Sequence, residues 1–203
     1  MNPLALYLVK SGALKTDRLV RAFGQVDRKD FVPPEYLDEA YEDYPLPIGA
    51  GQTISQPATV AMMLELLAPQ EGERILDVGS GSGFTTVLLA EVVGHRGSVI
   101  GVEIVPELVV FGQANLKKYH FPQAVIREAG DVLGTPDEAP FDRILVSASA
   151  REMPQSLVDQ LKQGGVMVTC VGHEVWKITK DARGEIHTEA YPGFAFVPLI
   201  EIQ

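Results

Sequence analysis

Three glycines at alternate positions, in Asp77-Val-Gly79-Ser80-Gly81-Ser82-Gly83, directly follow a short apolar run, Arg74-Ile-Leu-Asp-Val78. Glycines this close together let a backbone approach a ligand that any Cβ would hold off, so the turn implies a bound small molecule. A dinucleotide turn of the G-x-G-x-x-G type needs glycine at position 84, where this chain has Phe84. Two more acids stand in step with the turn. Glu103 closes a second β-branched run twenty residues after Gly83, where a carboxylate accepts both hydrogen bonds of a ribose diol and disfavours a 2′-phosphate. Asp131, after Gly130, is placed to accept from an adenine amino group. Asp77, Glu103 and Asp131 are therefore expected on the carboxyl rim of a parallel sheet, where open α/β proteins bind ligands. Ser55, just ahead of Pro57, reads by residue type as a helix N-cap.

Other chemistries find little support. The chain has a single cysteine, Cys170, inside the apolar run Val166-Met-Val-Thr-Cys-Val171; it closes no intrachain disulfide and reads as a small buried hydrophobe. The four histidines, His95, His120, His173 and His187, form no i,i+4 pair and have no carboxylate at ligand spacing, so no metal site is expected. With 27 acidic against 17 basic residues the net charge is −10 over 203 residues. That balance argues against nucleic acid, whose affinity comes largely from Lys and Arg displacing counterions. Neither a cationic leader nor an apolar run long enough to span a bilayer is present, which predicts a cytoplasmic protein without a membrane partner.

The elements that must position these residues alternate. Arg74–Val78, Ser98–Glu103, Ala124–Arg127, Arg143–Ser147 and Val166–Val171 read as strands. Thr85–Val93, Pro106–Tyr119 and Pro154–Leu161 read as the intervening helices, the last ended by Gly164-Gly165, which is the pattern of an α/β fold with a mostly parallel sheet. Beyond Gly172 the runs Glu174–Thr179 and Ile186–Glu189 flank Asp181-Ala-Arg-Gly184 and predict an antiparallel hairpin. Phe194–Ile200 then reads as a last strand, with Pro198 favouring an edge. Tyr191, Phe194, Phe196 and Trp176 read as sheet packing. Ahead of the core come short helices at Leu4–Val9 and Thr16–Phe23, an irregular Tyr-, Pro- and Gly-rich stretch from Tyr41 to Pro57, and a helix over Ala58–Leu67. The reading is one domain over 1–203, with an N-terminal helical and loop extension (1–70) on a sheet core (71–203).

The G-x-G-x-G spacing with an acid two residues ahead resembles the first motif of S-adenosylmethionine-dependent methyltransferases. Around it lie Arg21-Ala-Phe23, Phe31-Val-Pro33, Ala40-Tyr-Glu-Asp43, Pro45-Leu-Pro-Ile-Gly49, Gly51-Gln-Thr-Ile-Ser-Gln-Pro57, Ala139-Pro-Phe-Asp142, Gln160-Leu-Lys-Gln-Gly-Gly165 and Phe194-Ala-Phe-Val-Pro-Leu199. In order and spacing, over essentially the whole chain, these resemble the protein-L-isoaspartate O-methyltransferase family. The resemblance implies a Rossmann-like class I fold. It implies methyl transfer from S-adenosylmethionine, leaving S-adenosylhomocysteine, to the α-carboxylate of an L-isoaspartyl residue. The resulting ester collapses to a succinimide that partly reopens as aspartate, so damaged proteins and peptides are the substrates.

By the same resemblance Ser55 is the active-site serine. The cofactor pocket takes Asp77, Gly79, Ser80, Gly81, Gly83, Glu103 and Asp131, with Gln52 and Thr53 beside it; Ile54, Ser55, Gln56, Phe196 and Val197 face the substrate. The Phe194–Leu199 strand would border the peptide groove, where backbone pairing makes recognition tolerant of sequence. Ala58 and Val132 depart from residues common in the family, which are histidine or tyrosine and glycine. A monomer is expected. A same-fold methyltransferase for another acceptor, or a non-catalytic module that binds the cofactor, are the alternative readings. Between Lys29 and Arg74 there is no Lys, Arg or His, so neutral donors on the Ser55 loop are expected to orient the carboxylate.

Overall fold

The computed structural model describes residues 2–200. Helix α1 (Pro3–Ser11) is capped by Asn2, whose Oδ1 accepts from the Ala5 N–H at 2.8 Å. Helix α2 (Asp17–Gln25) buries one face through Leu19, Ala22 and Phe23. The stretch read as an irregular loop contains a small antiparallel hairpin, β1 (Leu46–Gly49) and β2 (Gln52–Ile54). It turns through Ala50 and Gly51, both at positive φ. Helix α3 (Pro57–Leu67) follows, with Pro57 in its first turn, where the missing N–H breaks no helical bond.

The core then runs β3 (Arg74–Val78), α4 (Phe84–Val93), β4 (Ser98–Glu103), α5 (Pro106–Lys117), β5 (Ala124–Glu128), β6 (Phe141–Ala150), α6 (Gln155–Asp159), β7 (Leu161–Val171), β8 (Glu174–Lys180) and β9 (Ile186–Pro192). The seven strands lie in the order β5-β4-β3-β6-β7-β8-β9. From β5 to β7 they are parallel, and β8 and β9 finish the sheet antiparallel, as expected. The chain builds outward from β3 to β5 and then crosses back to β6. The order therefore reverses between β3 and β6, which opens a crevice at their carboxyl ends.

Side chains alternate across the sheet with the period of two that a strand dictates. Ile75, Val99, Leu145 and Val168 pack toward α1–α5, whereas Leu76, Ile100, Ile144 and Met167 pack toward Leu157 and Val158 of α6. Both faces are covered, which is why the central strands are apolar almost throughout. Cys170 is fully buried in the first of these layers, and burial pushes its thiol pKa up.

Three expectations need correction. The helix read over Pro154–Leu161 is confined to Gln155–Asp159, and Gly164-Gly165 does not end it. Those glycines lie in β7, where pairing passes from Phe141↔Leu161 to Arg143↔Val166, so β7 carries extra residues as a bulge. Gly164 supplies the positive φ of +79°. The strand read over Phe194–Ile200 forms only one bridge, Ser149 to Pro198. The Ser149 N–H donates to the Val197 carbonyl and the Leu199 N–H to the Ser149 carbonyl, both at 2.8 Å. His187 does not stand apart from carboxylates: its Nε2 lies 3.2 Å from Asp181 Oδ2 at the β8–β9 turn, with Glu185 alongside. Asp181 Oδ1 accepts the Arg183 and Glu185 N–H groups and so shapes that turn.

Candidate active site

The glycine turn leaves β3 at the crevice. Gly79, Gly81 and Gly83 all have positive φ, +74°, +52° and +85°. The Gly79 and Ser80 N–H groups donate to the Val102 carbonyl of β4 at 2.9 and 3.1 Å, which curls the turn back over its neighbour strand. At Gly83 a Cβ would come within 2.9 Å of Ile126 and 3.1 Å of the Gly112 carbonyl, so glycine there lets α4 start flush against α5.

Glu103, buried at the end of β4, is clasped by backbone donors. Its Oε2 accepts from Gly81 N at 2.9 Å and its Oε1 from Ile104 N at 2.8 Å and Val105 N at 3.0 Å. A carboxylate offers about four acceptor sites, so capacity remains on the side that faces the cleft.

Asp77 plays a different part. It points to the α4 face of the sheet, where its Oδ2 accepts from the hydroxyls of Thr85 at 2.7 Å and Thr86 at 2.6 Å. Burial pushes its pKa up to about 6, against the pull of the two hydroxyls and with a push from the charge of Glu103. Asp77 thus ties the start of α4 to β3 behind the turn and is not on the cleft wall. Gly101, paired with Asp77 across the sheet, keeps this arrangement clear: a Cβ there would lie 2.8 Å from Thr86 Oγ1.

The cleft occupies about 1010 Å³ with its open mouth included. One wall is the glycine turn with Glu103, Ile104 and Val105; a second comes from Ala129, Gly130 and Val132 to Gly134; a third from Ser147 and Ala148. The β1–β2 arm contributes Ile48 and Gln52 to Ser55, and the tail contributes Val197 to Leu199. Of the residues singled out from the sequence, Gln52, Thr53, Ile54, Ser55, Gly79, Ser80, Gly81, Glu103 and Val197 meet here. Asp77, Gly83, Asp131, Gln56 and Phe196 do not line the wall. Asp131 is exposed while its neighbours Gly130 and Val132 face the cleft, and Phe196, half-buried, packs against the core. Gln56 is the N-cap of α3 and accepts from Thr59 Oγ1 at 3.3 Å.

Ser55 does not cap α3. Asp43 does that work at long range, its Oδ1 accepting from Ala58 N at 2.9 Å. Among the described residues the hydroxyl of Ser55 has no hydrogen-bond partner, and it stands beside the cleft.

Sequence reasoning missed Arg28. It is fully buried, with no carboxylate ion pair among the described residues. Its Nη1 donates to the carbonyls of Ala40 (3.1 Å) and Glu42 (3.2 Å), and its Nη2 to those of Tyr44 (3.4 Å), Ile54 (3.5 Å) and Ser55 (2.9 Å). Burial lowers its pKa to about 10, with Asp43 acting in the other direction. The Ser55 loop therefore does have a cation beneath it, supplied from just ahead of the window that lacks Lys, Arg and His.

The family model for protein-L-isoaspartate(D-aspartate) O-methyltransferase matches residues 1–203. The chain belongs to this family. Among curated relatives, the protein-L-isoaspartate O-methyltransferase of Methanopyrus kandleri is 48% identical over 93% of this chain and 86% of its own length. That of Ignicoccus hospitalis is 41% identical over 96% and 94%. A crystal structure from Plasmodium falciparum, described as a protein-L-isoaspartate O-methyltransferase in complex with S-adenosyl-L-homocysteine, superposes with a TM-score of 0.87 at 29% identity, covering 98% of this chain and 97% of that one. A Rossmann-like methyltransferase fold, and with it S-adenosylmethionine as the methyl donor, goes with that membership.

The residues present suit such a cofactor. Glu103 faces the cleft with acceptor capacity to spare, and Ser80 Oγ is buried on the same wall with no partner among the described residues. The turn brings backbone to the ligand with no Cβ at Gly79 or Gly81.

Proposed function

We propose that this member of the isoaspartate methyltransferase family methylates the α-carboxylate of L-isoaspartyl residues in peptides and proteins, with Ser55 orienting that carboxylate. The observation that carries the assignment of Ser55 is its hydroxyl, without a hydrogen-bond partner among the described residues, on the same cleft as Glu103 and the glycine turn.

S-adenosylmethionine supplies a methyl group made electrophilic by its sulfonium. The accepting carboxylate, with an ordinary pKa of roughly 3.5 to 4, is ionised at neutral pH, so the chain needs no general base. Positioning is then the main task. In this reading Glu103 accepts from the ribose hydroxyls, and Ser80 Oγ offers a further polar contact. Gln52 and Thr53 shape the arm over the nucleoside side, while the Ser55 hydroxyl donates to the substrate carboxylate. Ile48, Ile54, Val197 and Leu199 form apolar walls that keep water from the nucleophile. Neutral donors at the contact fix its geometry without competing with the sulfonium for the anion. The wall at Val197 to Leu199 is a bridged segment, not a full strand, so a peptide would meet backbone and side chain there rather than extend a ladder.

The test is methyl transfer from labelled S-adenosylmethionine to an isoaspartyl peptide and to its aspartyl twin. Turnover of the first alone is expected. Equal turnover of both, or of neither, removes the assignment.

A further inference from the structure

An arginine with no exposed surface and no carboxylate partner is costly unless its hydrogen bonds are met. Arg28 meets most of that cost with five backbone carbonyls from two segments, Ala40, Glu42 and Tyr44 on one side and Ile54 and Ser55 on the other, while its Nε has no partner among the described residues. The second segment is the arm that ends on the cleft. A trans peptide is planar, with its C=O and the following N–H pointing in opposite directions. Carbonyls 54 and 55 directed at the guanidinium therefore turn the N–H groups of Ser55 and Gln56 away from it. Among the described residues neither N–H finds an acceptor. The positive charge also lies under a site whose ligand is an anion, on a chain that is otherwise acidic.

We propose that Arg28 is the positioning residue for the methyl-accepting carboxylate, setting the Ser55 arm so that its hydroxyl and outward N–H groups converge on that anion. This rests on the function proposed above. Arg28 contacts neither substrate nor cofactor; it acts through the arm. Its loss should spare the nucleoside wall, which belongs to β3, β4 and the glycine turn, and should fall on the peptide.

The experiment uses the full chain with Arg28→Lys, which keeps the charge and loses the fork, and Arg28→Met, which loses both. Thermal unfolding, S-adenosylhomocysteine affinity, and kcat and KM for an isoaspartyl peptide are measured. So is competitive inhibition by the same peptide with that carboxyl amidated. Expected are S-adenosylhomocysteine affinities within about 2-fold of wild type. The value of kcat/KM should fall by on the order of 10-fold for Lys and 100-fold for Met, so that Lys is a partial rescue. Binding of the amidated peptide should change much less than that of the carboxylate.

Turnover within about 2-fold of wild type in both variants overturns the proposal. So does a parallel loss of cofactor binding, an equal loss for carboxylate and carboxamide, or loss of cooperative unfolding in both variants, since the guanidinium would then hold the fold and not the arm. Failure of the wild-type chain on the isoaspartyl peptide is a separate result and removes the functional reading itself.

Discussion

At the scale of single residues, the cleft separates groups that face the ligand from groups that hold those groups still. Ser55 is of the first kind: replacing it by alanine should lower kcat/KM for the isoaspartyl peptide by on the order of 10-fold or more and leave S-adenosylhomocysteine affinity nearly unchanged, which isothermal titration beside a turnover assay would show. Unaltered turnover removes it from the site. Asp77 is of the second kind, and its buried carboxyl leaves a thermodynamic mark. Its folded pKa, up to about 6 from 3.8, means that between those values the folded state holds more protons than the unfolded one. Stability from this group is therefore greatest in acid and is lost as the pH rises through that window. Asp77→Asn cannot ionise, so its stability relative to wild type should rise by up to about 3 kcal/mol between pH 4 and pH 7, read by urea unfolding at each pH. A difference that stays flat would contradict the desolvated carboxyl. Glu103 could be picked out from the sequence because its spacing puts it in register with a glycine turn, whereas Ser55, which by residue type reads as a cap, is marked only by the family resemblance. Arg28 could not: a lone arginine in Val26-Asp-Arg-Lys-Asp30 looks like a solvated charge, and its partners are backbone carbonyls that leave no trace in residue types.

At the scale of elements, the parallel core was readable because buried strands and amphipathic helices impose their periods on the sequence. The arm was not, since β1 and β2 are only 4 and 3 residues long and carry Pro47 and Gly49. The tail misled for the opposite reason: Phe194–Ile200 has the composition of a strand but forms one bridge, between Ser149 and Pro198. The junction of β4 with the glycine turn depends on Glu103, which receives N–H groups from both. Glu103→Ala should weaken S-adenosylhomocysteine binding by roughly 1–3 kcal/mol, the cost of losing hydrogen bonds to a charged group. It should also loosen the turn, raising amide exchange at Gly81, Ile104 and Val105. Normal affinity would place the nucleoside elsewhere.

At the scale of the whole molecule, the cleft is assembled from both ends of the chain around a sheet that neither end belongs to. The arm arrives from ahead of the core and the Val197–Leu199 lip from behind it, and the lip hangs on Ser149 by two backbone hydrogen bonds. A protease that trims the protein back to Gly193 would therefore leave β3, β4 and the glycine turn standing but strip one side of the peptide entrance. Such a shortened enzyme should still capture S-adenosylhomocysteine while kcat/KM for the isoaspartyl peptide drops by on the order of 10-fold or more, as limited digestion followed by titration and assay would reveal. Nucleoside retention and repair competence would then part company in a single nick, and an ageing pool of this protein could keep sequestering the methyl donor after it had stopped using it.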